Sequence, residues 1–246
     1  MRQSLLAPAI AGMDDGAVAE RIVVGFNWTA VQCGASVGLA WSPRGMAGAH
    51  TTPQTGSYAG RPLADLARLC LTDNPYERSI GLAAANAFWN RPTPSLQEGD
   101  GLTPWARDPE ALREELAGTV IVGRFPGLDA KFPGATVVEL DPRAGEVAYA
   151  DAGPRFATAR ALVMTASTLV NGTAEAILAA VSPEARVSVV GPSVPLCPGL
   201  LTGPVRRLAG FVVTEPQAAF TAVMEGAGAK ALKRFGRPVT LTAPQA

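Results

Sequence analysis

Short apolar runs, each closed by glycine, proline or small polar residues, recur along this 246-residue chain. Residues 21–25 (RIVVG) predict a strand that residues 28–32 extend past Asn27. Cys33-Gly34 then predicts a turn into a returning strand at 37–41. Pro62 suits the first position of a helix whose apolar face is Leu63, Leu66, Ala67 and Cys70. Asn74-Pro75-Tyr76-Glu77 joins a cap, a proline at the first helical position and a glutamate three residues after the cap. A second helix therefore starts there, with Ile80, Ala83, Ala84, Ala87 and Phe88 inward. Strands followed by helices make an α+β order.

Proline and glycine crowd residues 90–105 (NRPTPSLQEGDGLTPW), which read as a linker. This divides the chain into an α+β domain at 1–104 and a second domain at 105–246. After a helix opened by Asp108-Pro109 the pattern changes. Strands are predicted at 119–123, 136–140, 161–164, 187–190 and 208–213. Helices lie between several of them, one carrying Ala174, Ile177, Leu178 and Val181 on one face and one opened by Pro216. Such alternation predicts an α/β fold on a parallel sheet.

In open α/β sheets, ligands bind just beyond the carboxyl ends of the strands. The residues there are Gly123, Arg124 and Phe125; Glu139 and Asp141; a polar loop with Thr165, Ser167, Thr168 and Asn171; Gly191, Pro192 and Ser193; and Thr214 and Glu215. Serine, threonine and asparagine also cap helices and build turns. It is the clustering over several loops that points to a site.

Composition narrows the partners. Lys+Arg and Asp+Glu balance at 21 each, which gives no electrostatic reason to expect nucleic acid or an anionic membrane. No apolar run approaches the ~20 residues that span a bilayer. The opening MRQSLLAPAIAGMDD has a short apolar patch broken by Pro8, so a cytoplasmic protein is expected. Cys33, Cys70 and Cys197 are widely spaced and odd in number, which argues for free thiols and against a disulfide framework. VGRFPG has a glycine only at each end, so the dinucleotide fingerprint is absent, as are a P-loop, G-x-S-x-G and H-E-x-x-H. The single histidine, His50, falls in a long glycine-rich loop. Glu139 and Asp141, with waters, could hold a hard, oxygen-bound cation.

Several stretches together resemble one family. They are VGRFP (122–126), VVELDPRAGE (137–146), TASTLVNGT (165–173), GPSVPLCPGLL (191–201) and LAGFVVTEP (208–216) in the second half. In the first half they are GFNWTAVQ (25–32), GSYAGRPLADLA (56–67) and DNPYERSIGLAAANA (73–87). The chain is similar in this order to the "putative heavy-metal chelation" family with its usual N-terminal companion domain. The resemblance implies a smaller α+β, enolase N-terminal-like domain followed by a Rossmann-like parallel-sheet domain, with the site between them. It further implies that Asn27, Trp28, Tyr58, Arg61, Glu77, Asn86, Glu139, Thr168, Asn171 and Ser193 occupy the site positions. Two positions depart from the family's usual pattern: Arg124, commonly a histidine, and Glu146, commonly an aspartate. A permanent cation in place of a nitrogen ligand weakens direct metal ligation and suits an anion, or a metal wrapped in an organic or oxyanionic ligand.

Three readings follow. One is a binding protein for a metal or metal complex in the interdomain cleft, with Arg124, Thr165 and Gly191 joining the positions above. Another is an enzyme on a small anionic metabolite, with Glu139 or Glu77 as the acid/base group. The third is a non-catalytic assembly partner. Interdomain sites of this sort are often completed by dimers, so a homodimer is among the expectations.

Overall fold

The computed structural model describes residues 4–14, 16–44 and 57–244. His50 and most of the long loop around it lie outside the described residues.

The first unit is a three-stranded antiparallel meander of β1 (Arg21–Val24), β2 (Trp28–Cys33) and β3 (Ser36–Trp41). The continuous strand expected over 21–32 is interrupted. The Gly25 N–H donates to the Trp28 carbonyl at 2.9 Å, closing a turn that sends β2 back along β1. The helix Pro75–Trp89 packs on β3. It starts as the sequence implies, with Asn74 Oδ1 accepting from the Tyr76 and Glu77 amides. Contact with the strand is backbone to backbone. A Cβ on Gly38 would lie 2.0 Å from the Ala83 carbonyl oxygen and 2.1 Å from the Ala87 nitrogen.

The second unit is an eight-stranded sheet. Its strands are β4 (Gln97–Glu98), β5 (Thr119–Val122), β6 (Thr136–Glu139), β7 (Val147–Ala148), β8 (Ala161–Thr165), β9 (Arg186–Val190), β10 (Val205–Val213) and β11 (Gly236–Thr242). Their order is β4-β11-β10-β9-β8-β5-β6-β7. β5 to β10 are parallel, while β11 and β4 close one side antiparallel. The chain leaves β5 toward β6 and β7, then returns to the other side of β5 with β8. The strand order reverses between β5 and β8, which is the topological switch point. This is a Rossmann-like α/β unit preceded by a smaller α+β unit. β4 lies within the stretch read as linker, ahead of residue 104.

Alternation along the central strands separates two faces. Val120, Val122, Leu162 and Met164 join one core cluster, and Ile121 and Val163 join another with Leu102 and Phe132. The first cluster is shared between the units. Leu63, Leu66, Ile80 and Leu82 from the first and Leu162, Met164, Ile177 and Leu208 from the second are all fully buried in it. The helix Pro216–Met224 covers the opposite face of the meander, with Phe220 and Val223 against Trp28 and Leu39.

The loop after β9 is stitched to the first unit by buried polar groups. Asn86 Nδ2 donates to the Leu39 carbonyl (2.6 Å) and the Pro192 carbonyl (3.0 Å). Asn90 Nδ2 donates to the Val194 carbonyl (3.0 Å) and its Oδ1 accepts from the Leu196 amide (2.9 Å). The Trp41 amide donates to Ser193 Oγ at 2.8 Å. These bonds fix how the two units meet.

Candidate functional site

A cleft of about 590 Å³ opens where the end of the meander faces the carboxyl ends of β5, β6, β8 and β9. That is the switch-point edge, where the sequence placed a site. The second unit contributes Gly123, Arg124, Glu139, Thr165, Ser167, Thr168, Asn171, Gly191 and Ser193 to its lining. The first unit contributes Trp28, Trp41 and Arg44.

Gly123 follows β5 with φ of 97°, and a Cβ there would meet Thr165 Cγ2 at 2.7 Å. Only glycine lets the β5 and β8 ends approach like this. The polar loop expected after β8 is instead a short helix, Ser167–Asn171. The Thr168 hydroxyl donates back to the Thr165 carbonyl at 2.7 Å, and Thr165 and Ser167 pair their hydroxyls at 3.1 Å. This turns the TAST run inward as one hydroxyl-lined wall. Asn171 Oδ1 accepts from both the amide (3.0 Å) and the hydroxyl (2.8 Å) of Thr173.

Arg124 is held by its own loop. Its Nε donates to Glu146 Oε1 at 2.9 Å and its Nη2 to Glu146 Oε2 at 2.5 Å, a bidentate pair. Nη2 also donates to the Asp141 carbonyl at 2.7 Å. The two positions that the resemblance set apart are therefore partners. Hydrogen bonding from Arg124, with the Arg143 amide behind it, lowers the Glu146 carboxyl to about 2. A depressed carboxyl pKa favours the ionised pair above the ordinary carboxylate range and releases it only as pH falls toward that value. Glu139 is looser. Arg124 Nη1 lies 3.7 Å from its Oε1, an ionic contact rather than a hydrogen bond. Arg44, on the facing unit, lies over the Phe26 ring at 4.5 Å.

Several expected site residues lie elsewhere. Asn27 Nδ2 donates to the Gly226 carbonyl at 2.7 Å and ties the β1–β2 turn to the loop after the Pro216–Met224 helix. Tyr58 donates to Glu77 Oε1 at 3.3 Å, with Arg61 5.9 Å from the Tyr58 ring centre, a group outside the cleft lining. Asn86 is fully buried and serves the junction between units. Asp141 contributes its carbonyl to Arg124, and its side chain does not join Glu139 in the lining. Ser193 reaches the cleft, but its hydroxyl accepts from Trp41. Trp41, Arg44 and Tyr149 line the cleft without having been expected there. Trp41 had a signal, since the hairpin register sets it directly opposite Trp28; Tyr149, after the two-residue β7, had none.

The donor set does not fit a bare metal ion. Among the described residues no group of three or more His, Cys, Asp or Glu is placed to hold one. Of the anticipated Glu139–Asp141 pair only Glu139 lines the cleft, and a guanidinium stands beside it. The cysteines are free; burial pushes the Cys70 thiol up to about 12 and raises Cys197 as well, which keeps both protonated. Among the described residues, no helix is long and apolar enough to cross a membrane.

A model of the DUF364 family, described as "Putative heavy-metal chelation", matches residues 110–242, more than half the chain. The chain belongs to the DUF364 family. A second model, DUF4213, with the same description, matches residues 7–89. A DUF364-family protein of unknown function from Desulfitobacterium hafniense has a similar structure, with TM-score 0.80, 25% identity and 96% of each chain covered. Another from Pyrococcus horikoshii has TM-score 0.80 at 19% identity, covering 98% of this chain and 100% of that one, a likeness of fold. No curated protein matches the chain. The DUF364 description thus names a metal, while the cleft of this DUF364 chain offers guanidinium, hydroxyl and one carboxylate.

Proposed function

We propose that this chain binds an anionic small molecule in the switch-point cleft, and that any metal it handles arrives already held by an organic or oxyanionic ligand. The observation that carries this reading is the donor set. Arg44, Arg124, Glu139 and the hydroxyls of Thr165, Ser167 and Thr168 line the cleft, and no three metal-ligating side chains converge among the described residues. Arg44 and the hydroxyls suit carboxylate or oxyanion groups. Glu139, held only loosely by Arg124, can supply one oxygen to a metal whose other positions are filled by its own ligand. The first unit, read as an enolase N-terminal-like companion, acts as the facing wall. Three free cysteines support a reducing compartment such as the cytoplasm.

Glu139 also supports an enzymatic version of the same site. Acid–base chemistry on a bound anion would rest on this carboxylate, because Glu77 lies with Tyr58 outside the cleft lining.

Calorimetry with citrate and ferric citrate as probes tests the reading. The wild-type chain is expected to bind one or both, and Glu139→Ala and Asn171→Ala to weaken the ferric complex at least tenfold. Unchanged affinity in both variants would remove the site from this cleft.

A further inference from the structure

The cleft is longer and more aromatic than a compact anion requires. Its volume of about 590 Å³ matches the liquid share of roughly twenty waters at ~30 Å³ each. One end is fixed at β9, where Trp41 is bound to Ser193. The other is at Tyr149, just beyond β7. Between them stand β8, β5 and β6. Four strand spacings of ~4.8 Å make this edge about 19 Å long. A bare oxyanion or a single citrate would leave most of that length to water.

Aromatic side chains lie at both ends. Trp28 and Trp41 are cross-strand partners in the meander, so their rings stand on one face at its end, and both line the cleft. Trp41 is half-buried, leaving part of its ring open. Trp28 is 8% exposed, and its indole nitrogen has no hydrogen-bond partner among the described residues. A buried N–H without a partner is costly, and buried indole nitrogens usually find one. Polar groups lie between the aromatic ends: Arg124 beside Glu139 and the hydroxyls of Thr165 and Ser167, with Arg44 on the facing unit.

We infer that the ligand is an extended, conjugated organic anion, with a flat ring against the Trp28–Trp41 pair and its charged groups toward the switch point. This rests on the anion-binding reading above and adds the chemistry of the ligand's body. The Trp41 indole supplies stacking area, the Trp28 N–H, unpartnered among the described residues, a donor beside it, and the switch-point edge recognises the charged groups. Flatness and conjugation are then what the cleft selects, beyond charge.

Two dianions of similar reach separate these contributions: biphenyl-4,4′-dicarboxylate, which is rigid and conjugated, and sebacate, which is flexible and saturated. Two of the four tryptophans line the cleft, so indole fluorescence reads occupancy alongside calorimetry. The biphenyl compound is expected to bind the full-length chain at least tenfold more tightly than sebacate and to quench indole emission. Trp41→Leu is expected to reduce that preference below threefold, and Trp41→Phe to keep most of it. Equal affinity for the two dianions in the wild type, or a preference that survives Trp41→Leu, overturns the inference and leaves anion binding standing. Binding of neither dianion, nor of citrate, overturns both.

Discussion

Replacing Gly38 by alanine is expected to destabilise the protein by about 3 kcal/mol or more. The new methyl group would sit 2.0 Å from the Ala83 carbonyl oxygen and 2.1 Å from the Ala87 nitrogen. Both are backbone atoms inside the Pro75–Trp89 helix, so no side-chain rotation relieves the overlap. The helix must move off β3 as a body, and it carries Asn86 and the buried Ile80 and Leu82 with it. Urea unfolding followed by circular dichroism would show a much lower midpoint. A loss under about 1 kcal/mol would mean that helix and strand do not pack this closely.

Asn90→Ala is expected to cost about 2–3 kcal/mol, and to weaken binding in the cleft as well. Asn90 is 3% exposed and fills three roles at once. It donates to the Val194 and Phe211 carbonyls and accepts from the Leu196 amide. Alanine leaves those buried backbone groups without these partners. The same loop carries Gly191 and Ser193 into the cleft lining, so releasing it disturbs the site at a distance. Unfolding and calorimetry on one preparation would test both effects. A variant that loses stability and keeps wild-type affinity for citrate or ferric citrate would show that the loop is positioned by other contacts.

The second unit was largely legible in the sequence. Short continuous apolar runs, strands spaced by helices and polar residues after each strand point to a parallel sheet with a site at its carboxyl edge. Gly123, Arg124, Glu139, Thr165, Thr168, Asn171, Gly191 and Ser193 come together there as expected. The elements that escaped had weak local signals. β4 and β7 have two residues each and exist only because a neighbouring strand edge pairs with them. β11 contains Pro238, which argues against a strand interior. The first unit was harder. The turn at Gly25 depends on β2 finding β1, and Asn86, a site position only through the family resemblance, spends its amide on a junction whose burial is not visible one chain position at a time. Arg44 and Tyr149 have no periodicity or motif; tertiary packing alone brings them to the cleft.

Arg124 and Glu146, the two positions that the resemblance sets apart, are bound to each other. A guanidinium placed between carboxylates would attract whichever is nearest. The longer glutamate takes it in a bidentate grip, which leaves Glu139 at 3.7 Å and free to meet a ligand.

The most direct test of the central claim is native mass spectrometry of the intact chain, purified without chelator or affinity metal, beside Glu139→Ala prepared identically. The account predicts an added mass of an organic anion, with or without a metal, that is lost or sharply reduced in the variant. A stoichiometric bare metal ion, retained equally by both proteins and accompanied by no organic mass, would contradict it.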